Sequence, residues 1–201
     1  MRRRLYEGDH PVVAQALNNL AAGRMALGRV ADAEPLIAEA LDMNRRLFPG
    51  DHPGVAHSLF TLSSVQLELG RLAEAESLCI ESVEMHERLF RGDHLGVAMS
   101  HFNLANTRQA LHKPAEARQS YDVAVAMLRR LAPGGSAPLL RGLRRSARAR
   151  LDDNDAVAAL PELEEALAMA ERILAPGDPE LEECRKLLAR CKQAIETETS
   201  K

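Results

Sequence analysis

Tryptophan is absent from the 201 residues, and phenylalanine and tyrosine together make up only 3%. With 46% apolar residues and so few rings, the chain is built from Ala and Leu, the composition of closely packed helices. Lysine stands only at 113, 186, 192 and 201, so 22 of the 26 cations are arginine. The 29 acidic residues leave a formal net charge of −3, which excludes a generally basic nucleic-acid binder and makes any basic site local. Cys79, Cys184 and Cys191 are odd in number and form no CxxC, so they read as reduced thiols inside a cell, with no disulfide scaffold. No apolar run reaches the ~20 residues of a membrane span. The Met1-Arg2-Arg3-Arg4 start runs into Leu5-Tyr6-Glu7 without the apolar stretch of a signal peptide. A soluble, cytoplasmic chain with no membrane partner is expected.

What the sequence does have is repetition. Gly-Asp-His-Pro stands at 8–11 and 50–53, Gly-Asp-His-Leu at 92–95 and Gly-Gly-Ser-Ala at 134–137, a constant step of 42 residues. A worn copy, Gly-Asp-Pro, begins at 177. Within the first copy Val13, Ala14, Leu17, Leu20 and Ala21 recur at i, i+3, i+4, Gly28-Arg29 breaks the pattern, and Ala33, Ile37, Ala40 and Leu41 resume it. Each unit is therefore helix, turn, helix. Pro11 suits the first helical turn, and Asp9 or His10 is placed to cap its free amides. One pair cannot bury its apolar face alone, so the units must stack. The frame continues through Leu59, Leu62, Ala75 and Ser82, then Leu104, Ala105, Ala117, Tyr121 and Ala124, then Leu143, Ala147, Ala159, Leu163 and Ala166.

The run Val13-Ala14-Gln15-Ala16-Leu17-Asn18-Asn19-Leu20-Ala21, followed by Gly28-Arg29-Val30-Ala31-Asp32-Ala33-Glu34 and closed by Gly50-Asp51-His52-Pro53, resembles the tetratricopeptide repeat. The long period with Asp-His-Pro between units is similar to the subtype found in kinesin light chains and their bacterial relatives. The resemblance implies an all-α, right-handed α-solenoid: repeat one at 8–49, two at 50–91, three at 92–133, a divergent fourth at 134–176, and a capping helix at 177–197 with Leu181, Cys184, Leu188 and Cys191 on one stripe. His112 and Asn154 replace the inter-helix glycine in the third and fourth copies, and both types tolerate a left-handed backbone. Residues 1–7 align with the end of a second helix, Arg3-Arg4-Leu5-Tyr6 matching Arg45-Arg46-Leu47-Phe48. The chain is thus expected to begin mid-repeat, as a fragment or shortened form of a longer repeat protein, its N-terminal end open to self-association.

Chemistry is hard to find. His10, His52 and His94 recur once per helix pair, and helices 8–10 Å apart cannot bring them to one ion. No metal and no cofactor is expected. The echo of a phosphate loop at Gly23 to Gly28 lacks its Lys-Ser/Thr end. No nucleophile with a base, no paired carboxylates and no glycine-rich cofactor loop are present, so no enzyme and no catalytic residue is expected.

The resemblance implies a concave groove lined by the first helix of each pair, holding a peptide across it. The lining then includes Asn18 and Asn19 from repeat one, Phe60 and Leu67 from repeat two, and Met99, Phe102, Asn103 and Asn106 from repeat three. In repeat four Arg141, Arg144, Arg145 and Arg148 fall at i, i+3, i+4, i+7, one helical stripe of four guanidinium groups suited to carboxylate or phosphate. Asn103, Arg141 and Arg145 also resemble half of the carboxylate clamp of chaperone-binding repeats, but Phe60 and Ser64 stand where that clamp wants Lys and Asn. The expected function is a non-catalytic scaffold whose groove docks an extended acidic or aromatic-acidic segment of a protein partner. A second reading is polyanion or nucleic-acid binding through the arginine stripe, which the net charge and the scarcity of groove aromatics disfavour. A third is the regulatory repeat portion of a larger multidomain protein.

Overall fold

The computed structural model describes residues 8–199. Among them it is all-α, with nine helices: α1 Pro11–Ala26, α2 Val30–Leu47, α3 Pro53–Glu68, α4 Leu72–Leu89, α5 Leu95–Ala110, α6 Pro114–Leu131, α7 Ala137–Asp152, α8 Ala156–Ile173 and α9 Pro179–Thr199. The first helix of each of the four pairs has 16 residues and the second 18, so the 42-residue step of the sequence is a step in structure. His112 and Asn154 do hold left-handed backbone, with φ of 56° and 61°, in the turns where Gly28 and Gly70 stand in the first two pairs. Residues 1–7, read as a preceding helix tail, lie outside the described residues. The chain divides into two compact units, one through His112 and one from Lys113 onward.

In the first unit each helix packs on the next, from α1 to α5. Small residues sit where backbones approach: Ala14, Ala33, Ala56, Ala75 and Ala98 are fully buried, with Ile37 and Leu59 filling the space between. Leu20, expected on the buried stripe, is 47% exposed, because Asn18 and Ala21 take the inward positions of that turn. The caps are histidines. Nδ1 of His10, His52 and His94 accepts from the backbone N–H of Val12, Gly54 and Gly96 at 3.2, 3.0 and 3.1 Å. Asp9 and Asp51 are drawn instead into two-bonded forks with Arg46 and Arg88. Phe48 stacks on His52 and Phe90 on His94, with ring centroids 3.5 and 3.6 Å apart.

The seams between repeats carry buried polar groups. At α2–α3, Asn44 Nδ2 donates to the Gly54 carbonyl and to Ser58 Oγ, and Asn18 Nδ2 also donates to Ser58 Oγ, at 3.1, 3.0 and 3.1 Å. At α4–α5 the same register holds His86, whose Nδ1 lies 2.8 Å from the Ser82 carbonyl and 2.9 Å from Ser100 Oγ. A Cβ on Gly96 would come within 2.8 Å of the His86 ring, so this seam requires glycine there.

In the second unit α6 packs on α7, α7 on α8 and α8 on α9. Here the seam register is apolar: Leu128 is 2% exposed and faces Gly142. The cap is Ser136, whose Oγ accepts from Leu139 N at 3.2 Å. On α9 Leu181, Cys184 and Cys191 are buried as the stripe predicted, with Leu187 the buried residue of the middle turn and Leu188 half-buried beside it.

Two outcomes follow for the first unit. His52→Ala removes both a cap and a ring stack, and is expected to lower stability by about 1 kcal/mol in urea unfolding. Burial holds the His86 imidazole below its usual pKa, against the opposing hydrogen bond to the Ser82 carbonyl. The unfolded chain therefore takes up a proton near pH 6.5 that the folded chain resists. The stability His86 supplies is full above that pH and drains as pH falls toward the lowered folded value. His86→Asn, which copies Asn44, is expected to reduce the pH slope of unfolding free energy below pH 6.5 by up to about 1.4 kcal/mol per pH unit.

Candidate peptide-docking surfaces

In the first unit α1 lies against α3 and α3 against α5, so the first helices of three pairs form one face. On it Phe60, Leu67 and Met99 are half-buried and Asn19 is exposed, accepting at 3.0 Å from the amide of Gln15. His57 stacks over Phe60 with centroids 6.5 Å apart. This is a modest apolar seat with polar edges. Asn106 is half-buried beside it, and Phe102 is 7% exposed, mostly inside.

Two amides of this face work between helices. Asn18 is 2% exposed and bound to Ser58. Asn103 is 7% exposed and donates to Ser63 Oγ and Ser64 Oγ at 2.8 and 3.0 Å, stitching α5 to α3. Both serine hydroxyls in turn donate to the Phe60 carbonyl, which fixes the backbone under the Phe60 ring.

In the second unit the four arginines of α7 separate into two kinds. Arg144 is 11% exposed and donates to Glu183 and Glu180 of α9 at 2.8 and 3.3 Å, and Arg148 reaches Glu183 at 3.5 Å. Arg141 and Arg145 are exposed, and among the described residues neither forms an ion pair or a hydrogen bond. Arg144, Arg145, Arg148 and Glu183 surround a cavity of about 120 Å³. The acids of α9 were not part of the sequence argument, although Glu180 and Glu183 three residues apart on one helix face were the available signal.

Elsewhere the polar groups serve the fold. Cys79, Cys184 and Cys191 are buried free thiols whose pKa values burial pushes up, and Cys191 donates to the Ala156 carbonyl at 3.1 Å. Glu162, 8% exposed, has its pKa raised by burial while Ser146 and Arg150 pull the other way. Among the described residues no three His, Cys, Asp or Glu side chains are placed to hold a metal, and no helix is long and apolar enough to cross a membrane.

The family model of the tetratricopeptide repeat matches residues 12–78 and 64–130. A comparison with curated proteins finds no match. Among solved structures the chain is similar to kinesin-light-chain TPR-like repeats from Podosopora anserina, with 22% identity, a TM-score of 0.81, and 96% of this chain and 92% of that one covered. It is also similar to BtubC (BKLC) from P. vanneervenii, at 20% identity and a TM-score of 0.73, covering 95% and 83%. A Rap protein complexed with Competence and Sporulation Factor matches at 13% identity and a TM-score of 0.78, covering 98% of this chain and 56% of that one. With its helix pairs, its period and this family match, the chain belongs to the tetratricopeptide-repeat family, and its fold is an all-α helical-repeat solenoid like that of the kinesin-light-chain repeats.

Proposed function

We propose that the chain is a non-catalytic protein-interaction module that docks an extended segment of a partner protein. The face of α1, α3 and α5 takes a large apolar side chain over Phe60, Leu67 and Met99, with Asn19 and Asn106 at its edges. The fourth repeat takes Asp or Glu at Arg141 and Arg145. One observation carries the acidic preference. Arg141 and Arg145, one turn apart on α7, stay exposed without a carboxylate among the described residues, and Arg145 lines a cavity of about 120 Å³ with Arg144, Arg148 and Glu183. Unpaired guanidinium groups one turn apart repel each other, and an incoming carboxylate relieves that repulsion through a planar two-bonded fork. Docking of a partner is also what the structure of a Rap protein with Competence and Sporulation Factor illustrates for a similar fold.

A peptide array probed with the full chain at low and high salt tests this reading. Capture of sequences with a large apolar anchor and, separately, of sequences rich in Asp or Glu is expected, and Arg141→Glu with Arg145→Glu is expected to remove the acidic class while helicity stays unchanged. Binding that ignores peptide sequence and falls steeply with salt would instead mean a polyanion surface; equal capture by the double mutant would overturn the assignment. Arg144 is the wrong residue for that test. Held between Glu180 and Glu183, it supports the packing of α9, so Arg144→Ala is expected to cost about 1 kcal/mol in chemical unfolding, against less than about 0.5 kcal/mol for Arg145→Ala.

A further inference from the structure

We infer that the loop between α6 and α7, with the end of α8, forms a separate binding site for an aromatic carboxylate, in the place of a clasp that the fourth repeat has lost. The chain itself shows what normally fills this place. Arg46 Nε and Nη2 hold the two oxygens of Asp9 at 2.6 and 2.9 Å, and Arg88 holds Asp51 at 2.7 and 2.9 Å. Next to each aspartate stands the histidine cap, and on His52 and His94 lies a phenylalanine ring at 3.5 and 3.6 Å. In the loop of residues 48–52 arginine, carboxylate and stacked ring come together: Phe48 lies on His52 while the neighbouring Asp51 is forked on Arg88.

In the fourth repeat the arginine remains and the other two are gone. Arg172 occupies the register of Arg46 and Arg88, but Gly135 stands where the aspartate would be, Ala132 where the phenylalanine would be and Ser136 where the histidine would be. Arg172 Nη2 donates to the Gly134 carbonyl at 2.9 Å, and among the described residues the guanidinium has no carboxylate. The left-handed residue moves one place along, from the register of Gly50 and Gly92 to Gly135, with φ 91°. A Cβ there would come within 3.0 Å of Arg172 Nη2, so the guanidinium lies across the ground that an aspartate side chain would take.

What remains is a cavity of about 260 Å³ lined by Ala132, Gly135, Leu139, Met169 and Arg172 together with the Arg129–Glu165 pair. Arg129 and Glu165 bind each other through two bonds of 2.5 and 3.0 Å, so their charges compensate and Arg172 supplies the net positive charge. An apolar cavity of about 150 Å³ admits benzene, so this one has room for a ring and a short acid arm. The ligand restores in trans what the loop of residues 48–52 carries in cis: a carboxylate forked on Arg172 and an aromatic ring against Leu139 and Met169. Free aromatic acids and the C-terminal aromatic residue of a protein share this chemistry.

The test is a titration of the ¹⁵N-labelled full chain followed by amide NMR. The probes are 3-phenylpropionate, its amide, acetate, and a short peptide ending in phenylalanine with a free or an amidated terminus. The acid is expected to shift amides of the α6–α7 loop and those around Arg172, with acetate and the amide about tenfold weaker or worse. Arg172→Gln, a change at an exposed side chain, is expected to weaken the acid about tenfold. Ala132→Phe is expected to fill the cavity, abolish binding and raise the unfolding midpoint. Tighter binding of the free-terminus peptide than of 3-phenylpropionate identifies a protein C-terminus as the source; the reverse identifies a small acid. No shift in this loop, equal binding of acetate, or undiminished binding by Arg172→Gln would overturn the inference.

Discussion

Every repeat depends on the seam where its second helix meets the first helix of the next. A pair of helices cannot bury its own apolar face, so the seam must be held at close range and in one register. Close range comes from alanines at 14, 56 and 98 that leave no side chain to separate the backbones. Register comes from groups that fit only one partner. Asn44 on Ser58, His86 on Ser100 and Leu128 against Gly142 are three chemical solutions at one structural position. The histidine caps, the Asp–Arg forks and the Phe–His stacks then fix the loop that leads into each seam.

The period made most of the fold legible. Once one unit reads as helix, turn, helix, equivalence carries the boundaries to the others, and even the irregular turns at His112 and Asn154 follow from which residues tolerate left-handed backbone. Direction was less legible. A period says that Asn18, Phe60, Phe102 and Arg144 are equivalent, but not what each meets thirty-six or more residues away. Hence the amides of Asn18 and Asn103 point at serines of the neighbouring helix, and Arg144 points at the acids of α9. Leu20 faces out for the same reason: an i, i+3 count allows it inward, and packing of its neighbours decides otherwise. Capping by His10 rather than Asp9 was open in the sequence and is settled by the arginine that takes the aspartate.

Missing residues are harder still to read than present ones. Gly134-Gly135-Ser136 looks like a worn spacer until the arginine that usually meets its aspartate is found at the end of α8. The fourth repeat therefore differs in two ways. Its first helix carries Arg141 and Arg145 exposed beside the paired Arg144 and Arg148, and its loop presents an arginine without its clasp. At the loop an internal pair is given up, which leaves the Arg172 guanidinium without a carboxylate among the described residues. The loops that lead into repeats one and two keep their Asp–Arg forks.

That reading is tested most directly by returning the fourth loop to the pattern of the others. Replacing residues 132–136 with the sequence of residues 90–94, Phe-Arg-Gly-Asp-His, restores the ring, the aspartate and the cap, and leaves glycine at 134 to carry the left-handed backbone again. The thermal unfolding midpoint of this variant is the measurement. A midpoint above that of the parent chain is the result expected if the loop has lost a clasp. A lower midpoint would mean that the loop is already at its own packing optimum, and would contradict the account.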